Sequence, residues 1–368
     1  MDIKIILITI LSIIVAISLV VIFNQRKNNK KQESYATMVF GAGLSVSLTA
    51  SSDWLDKVLV GIGVMAKYES PNELGGTFNW AFFILGCALI IISIAIYLYS
   101  KKKFYVLNIN AYTSRRLEDE ISKLKSDNSD FREREIDFIK IYQRVFSKKL
   151  DKTSYECIKA DIYEKVIAFK NETKSIKRGY TGIAPIPFIM YAGTLLNRVD
   201  INEYYEFDKK DTNKYYSLSK KKETYPELKV KTDLTQLDTT KNKVLIAISV
   251  TQKIEDNVLG QFLPNCNLVR IEVDNPDDNT IRNKKQLINY VDVIVKCIEE
   301  IKKTIPNLKV DLVYSGQSCL ALELGKAFFD ETRMPTVTIY HYDFQQQVNK
   351  YPWGIIINGS DKGKLIKV

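Results

Sequence analysis

Residues able to hold or transform a ligand are unevenly spread along these 368 residues. His341 is the only histidine, and it has no nucleophile or metal partner at a meaningful spacing. No H-E-x-x-H, G-x-S-x-G or G-x-x-x-x-G-K-[ST] motif occurs. The five cysteines (Cys87, Cys157, Cys266, Cys297, Cys319) are odd in number and never form C-x-x-C, so neither a zinc site nor a disulfide framework is indicated. The chemistry on offer is binding by loops of small and polar residues. One such loop is Ser315-Gly316-Gln317-Ser318, which interrupts the apolar run Val310–Tyr314 and precedes apolar residues at helical spacing in Cys319–Phe329. A second holds Gly182, Ala184 and Pro185 within Gly179–Leu196. A third, Ser249, Thr251 and Lys253, closes the run Lys243–Val250, and Tyr342 with Asp343 follows Thr336–Tyr340. A strand feeding a helix through such a loop points free N–H groups at the loop mouth, which suits an anion. Gly316 and Ser318 suit a plain turn and N-cap equally well.

The elements that must carry these loops follow from periodicity. Lys243–Val250, Leu268–Val273, Val310–Tyr314, Thr336–Tyr340 and Gly354–Ile357 read as strands, and Lys284–Lys303 as a helix. Their alternation predicts an α/β architecture with a Rossmann-like parallel sheet, whose ligands sit beyond the carboxyl ends of the strands. Gly179–Leu196 and residues 309–329 each place small residues before an apolar helix and a glycine inside it, Gly193 and Gly325. Two such units are expected to face one ligand from two sides. Tyr340 and Tyr342 point to one face of their strand and His341 to the other.

Ahead of this part the composition changes. Ile5–Phe23 is uncharged and dense in Ile, Leu and Val, and Phe78–Ser100 is similar and followed by three lysines. Each is long enough to cross roughly 30 Å of hydrocarbon as a helix, so two N-terminal transmembrane helices are expected. Ser34–Ser52, rich in Gly, Ser, Thr and Ala, reads either as a helix packed beside them or as a third crossing. Residues 1–103 are therefore read as a membrane region. Residues 104–175, highly charged, are read as a mostly helical linker and the start of the soluble domain, with helical patterns over Arg115–Lys125 and Arg132–Val145 and a first-domain helix over Tyr155–Phe169. Residues 176–368 form the α/β domain. The net charge of +10 comes from 53 basic and 43 acidic side chains. Much of that excess flanks the apolar spans, which favours a membrane surface over a nucleic-acid polymer.

The succession GYTGIAPIPFIMYAGTLL, KVLIAISVT, DLVYSGQSCLALELGKAFF and TVTIYHYD in residues 176–368 resembles the SAVED domain of bacterial cyclic-oligonucleotide-based anti-phage signalling systems (CBASS). Tyr314-Ser315-Gly316-Gln317 stands where that family often has a more apolar, Pro-containing stretch. The resemblance implies two fused CARF-like Rossmann units that bind a cyclic di-, tri- or oligonucleotide made by a cognate nucleotidyltransferase. The residues themselves point to no cofactor, no metal and no catalytic residue. With the N-terminal spans the resemblance further implies a multi-pass inner-membrane effector with its sensor domain in the cytoplasm, which homo-oligomerises on ligand, engages lipid and disrupts the membrane in abortive infection. Two alternatives stay open: a membrane-tethered binding module, and a ring nuclease, which would consume its ligand without a metal.

Overall fold

The computed structural model describes residues 31–49, 80–120, 131–146, 150–221, 223–329 and 333–368. The chain divides into two compact units, one comprising Met1–Lys103 with Lys174–Ile176, the other Phe104–Thr173 with Lys177–Val368. In the first unit helix α1 (Lys31–Thr49) packs along helix α2 (Trp80–Lys102). Small residues permit the approach. A Cβ built on Gly43 would lie 2.9 Å from the Gly86 carbonyl oxygen, and Ser93 Oγ donates to the Ala36 carbonyl at 2.7 Å.

These helices correct the expectation of N-terminal transmembrane helices. Among the described residues, no helix is long and apolar enough to cross a membrane. In α1 the apolar character is diluted by Gly41, Gly43, Ser45 and Ser47. The expected span Ile5–Phe23 lies outside the described residues. The multi-pass inner-membrane assignment falls with the same finding.

The second unit holds two α/β halves. The first comprises β1 (Phe104–Asn110), β2 (Phe131–Asp137), α3 (Ile139–Phe146), α4 (Lys152–Glu172), β3 (Lys177–Ile183), α5 (Ile186–Leu195), β4 (Glu203–Asp208) and β5 (Lys214–Ser217). Its sheet runs β2-β1-β3-β4-β5, parallel except for the antiparallel β4–β5 edge. The stretch 104–175, read from its charge as helical, thus supplies two strands as well as two helices. β1 is buried along its whole length, as a central parallel strand must be. Its neighbour β2, FREREID, alternates between half-buried and exposed positions as an edge strand does, and its charges are used: Arg134 pairs with Glu172, and Asn110 donates to Glu135. Helix α4 starts where the Asp151 carboxylate accepts from Ser154 N at 2.7 Å, and it buries Tyr155, Ile158, Ile162, Val166 and Phe169 at helical spacing.

The second half comprises β6 (Leu228–Val230), β7 (Lys243–Ser249), β8 (Asn267–Val273), α6 (Lys284–Thr304), β9 (Lys309–Ser315), α7 (Ser318–Ala327), β10 (Thr336–His341), β11 (Trp353–Ile356) and β12 (Leu365–Lys367). The sheet order is β12-β11-β10-β9-β7-β8-β6, with the four strands β10-β9-β7-β8 parallel and the edges antiparallel. Val244 to Ile248 of β7 are wholly buried. Val244, Leu245, Ile246 and Ile248 each contribute about 1.5–3 kcal/mol over their exposed state. The halves join where α5 and α7 cross. A Cβ on Gly193 would overlap the Leu322 carbonyl oxygen, one on Gly325 would overlap that of Met190, and each would lie 3.1 Å from the other glycine's Cα. Only residues without a side chain fit this crossing.

Candidate functional site

The α5–α7 crossing brings the loops at the ends of β3 and β9 together, and an open cleft of about 190 Å³ lies between them. Gly182, Ile183, Ala184 and Ile186 line it from the first half, and Thr251, Gly316, Gln317 and Ser318 from the second. Tyr112 enters from the loop after β1, Glu206, Phe207 and Lys209 from the end of β4, and Asp278 from the loop before α6.

Both loops use one local device. Tyr180-Thr181-Gly182 and Tyr314-Ser315-Gly316 each tuck a tyrosine hydroxyl beneath the glycine two residues on, where a Cβ would collide with it. Burial pushes both phenols well above their usual range. Tyr314 donates its hydroxyl to the Gln317 carbonyl at 2.7 Å, whereas the buried Tyr180 hydroxyl has no hydrogen-bond partner among the described residues.

The helix starts differ. Pro185 precedes α5 and Pro187 sits in its first turn, removing one of the N–H donors that an anion would use. At α7 the N-cap residue Gln317 makes no side-chain cap. Its amide is spent elsewhere: Nε2 donates to Tyr216 Oη at 2.7 Å and to the Ile281 carbonyl at 2.9 Å, while Oε1 accepts from Ile281 N. The cap comes from the other half of the domain. Glu206 Oε1 accepts from Cys319 N at 2.6 Å and from Ser318 Oγ at 2.9 Å. A carboxylate thus already occupies the α7 start, where the sequence suggested phosphate. Burial raises the Glu206 pKa, and the hydrogen bonds from Cys319 and Ser318 oppose the shift without cancelling it.

The remaining sequence candidates fall in several places. Pro185 is buried beside the cleft as the residue ahead of α5. Ser315 Oγ lies 3.0 Å from Thr251 Oγ1 and accepts from Gln252 N, so these two hydroxyls tie the β7 and β9 loops together. Ser249 is fully buried and accepts from Ile254 N, closing its own turn. Lys253 is exposed and pairs with Glu255 at 3.7 Å, outside the cleft lining. Tyr342 is also outside it, edge-on to Tyr351 at 5.5 Å between ring centroids. His341 is stacked on Trp353 and lies 3.2 Å from Tyr142 Oη, and burial lowers its pKa to about 4.

Sequence reading missed Tyr112, Glu206, Phe207, Lys209 and Asp278. Glu206 alone left a trace: it is the lone interior charge in the strand EYYEFD, and buried charges occur only with partners. No group of three or more His, Cys, Asp or Glu among the described residues is placed to hold a metal ion.

Comparison with known proteins bears on this geometry. A family model described as the SMODS-associated and fused to various effectors sensor domain (SAVED) matches residues 160–357. No curated protein matches the chain. Among solved structures, it is similar to the Acinetobacter baumannii Cap4 SAVED/CARF-domain containing receptor with the cyclic trinucleotide 2'3'3'-cAAA, with 11% identity and a TM-score of 0.47, covering 77% of this chain and 57% of that one. The same receptor with 3'3'3'-cAAA gives 11% and 0.46, covering 80% and 57%. The Moraxella osloensis Cap4 receptor gives 13% and 0.39, covering 77% and 55%. The chain thus spans less than two thirds of the length of these receptors.

Proposed function

The chain belongs to the SAVED family, and from that premise we propose that it is a receptor for a cyclic oligonucleotide in CBASS-type signalling, seated in the cleft between β3 and β9. One observation carries the reading: the glycine-on-glycine crossing of α5 and α7 makes the two Tyr-x-Gly loops walls of one cleft. Sites that enclose a drug-sized ligand run to roughly 300–1,000 Å³, so a cleft of about 190 Å³ takes one base of the ring and leaves the phosphates at the rim. Tyr112, a residue 42% exposed, offers a ring for base stacking, worth about 1–3 kcal/mol. Lys209 is exposed at the mouth and meets phosphate charge there. Ligand-linked homo-oligomerisation, and a nucleotidyltransferase that supplies the ring, complete the proposal. The receptor acts by binding, with no catalytic step.

Thermal melting of the full chain against a panel of cyclic di- and trinucleotides tests this, because a ligand that binds only the folded state raises the Tm. The expected result is a selective rise with one ring class, with growth in particle size by light scattering. No rise with any member would sink the receptor reading. A rise without growth in size would remove the oligomerisation from it.

A further inference from the structure

Resting on that receptor reading, we propose that Glu206 sets ligand specificity: its free carboxylate oxygen accepts a hydrogen bond from an exocyclic amino group of a ligand base, and its charge keeps phosphate away from the start of α7. The two shortest hydrogen bonds to this side chain, from Cys319 N and Ser318 Oγ, both fall on Oε1, and the Cys319 thiol and Ser318 N also act on the carboxylate. A carboxylate has about four lone-pair sites, so Oε2 keeps its accepting capacity. Glu206 is only 7% exposed, yet it lines the cleft. A buried charge held in one orientation by two donors is preorganised, and a ligand that fails to satisfy it leaves an unpaired polar group behind. The cleft's charge points the same way. Its lining holds two carboxylates, Glu206 and Asp278, against one lysine, Lys209, the reverse of a phosphate cradle. Adenine and cytosine present amino donors of the kind a glutamate accepts. Uracil has no exocyclic amino group, and its exocyclic atoms are carbonyl oxygens, which the carboxylate repels.

Isothermal titration of the full chain tests this, using cyclic triadenylate, cyclic triuridylate and a cyclic tri(purine riboside) that lacks the 6-amino groups. Wild type is expected to bind the adenine ring at least tenfold tighter than either of the other two. Glu206→Gln keeps an oxygen for Cys319 N and turns an N–H₂ towards the cleft. It is expected to lose tenfold or more on the adenine ring and to narrow or reverse the preference, with its unliganded Tm showing that the chain folds. Equal wild-type affinity for the adenine and purine rings overturns the proposal without any variant. So does a Glu206→Gln chain whose affinity for all three rings changes by one factor, since the carboxylate would then not tell the bases apart. Binding of no ring by wild type overturns the receptor reading and this inference together.

Discussion

The two Tyr-x-Gly loops invite comparison, because they share a scaffold and differ where it opens on the cleft. In both, a buried tyrosine props up a glycine and a helix follows whose own glycine meets its counterpart at the crossing. The first helix opens with prolines and leaves its start sparsely supplied with donors. The second is capped by Glu206, which reaches across from the first half. The shared part fixes where the cleft is. The unshared part fixes its chemistry, and it assigns an acceptor to the place where a helix terminus alone would have suggested an anion site.

The largest effects should come from breaking what the halves share. Gly325→Val and Gly193→Val push a side chain into the opposite helix's carbonyl oxygen, and each should cost about 3 kcal/mol, towards the upper end for overpacking. Chemical denaturation should show the two costs to be similar, since each glycine is the other's partner. A cost confined to one would mean that the crossing is not the joint.

A comparable effect belongs to a second contact between the halves, where His341 of β10 meets Tyr142 of α3. His341 has a folded-state pKa of about 4, below its ordinary 6.5. The unfolded chain therefore binds the proton more readily, and the contribution of His341 is intact above pH 6.5 and lost as pH falls towards 4. At about 1.4 kcal/mol per unit, the loss reaches about 3 kcal/mol. Denaturation at stepped pH should show this slope in wild type and its absence in His341→Phe. A slope unchanged by the substitution would contradict it.

A smaller effect distinguishes the loops themselves. Gly182→Ala and Gly316→Ala should each cost about 1–2 kcal/mol by crowding the tyrosine. A Cβ at 182 would lie 2.5 Å from the Tyr180 hydroxyl but 3.2 Å from its ring carbon, whereas at 316 the ring carbon of Tyr314 itself is 2.5 Å away. Tyr180→Phe should therefore rescue Gly182→Ala, while Tyr314→Phe should fail to rescue Gly316→Ala. Alone, Tyr314→Phe should cost about 1 kcal/mol for its lost hydrogen bond and Tyr180→Phe close to nothing. Equal rescue in both loops would erase the contrast.

Much of the scaffold was legible in local patterns. The apolar runs 243–250, 268–273 and 336–340 coincide with β7, β8 and β10, and the 284–303 periodicity with α6. Gly193 and Gly325 stood out as glycines inside apolar helices. Tyr155–Phe169 falls inside α4, but the first half of Arg132–Val145 is a strand: β2 is an edge strand, and its alternating charges imitate a solvated helix until Asn110 and Glu172 are seen to receive them. Of Arg115–Lys125, residues 115–120 are irregular and the remainder lies outside the described residues. The cleft was half legible. Its loops could be read, but Glu206 and Ser318 meet across 112 positions of sequence, and no local signal announces a cap supplied from another sheet. The apolar N-terminus misled in another way, since composition alone carried the expectation that the described helices overturn.

The central claim is that the cleft receives a base-in, phosphate-out cyclic oligonucleotide. Equilibrium binding of cyclic trinucleotides to the full chain, in wild type, Tyr112→Ala and Lys209→Glu, tests it most directly. The account predicts saturable binding that weakens with salt, a loss of 1–3 kcal/mol in Tyr112→Ala and about tenfold, or 1.4 kcal/mol, in Lys209→Glu. Saturable binding that neither substitution disturbs would move the ligand out of this cleft, and no saturable binding of any ring would contradict the account altogether.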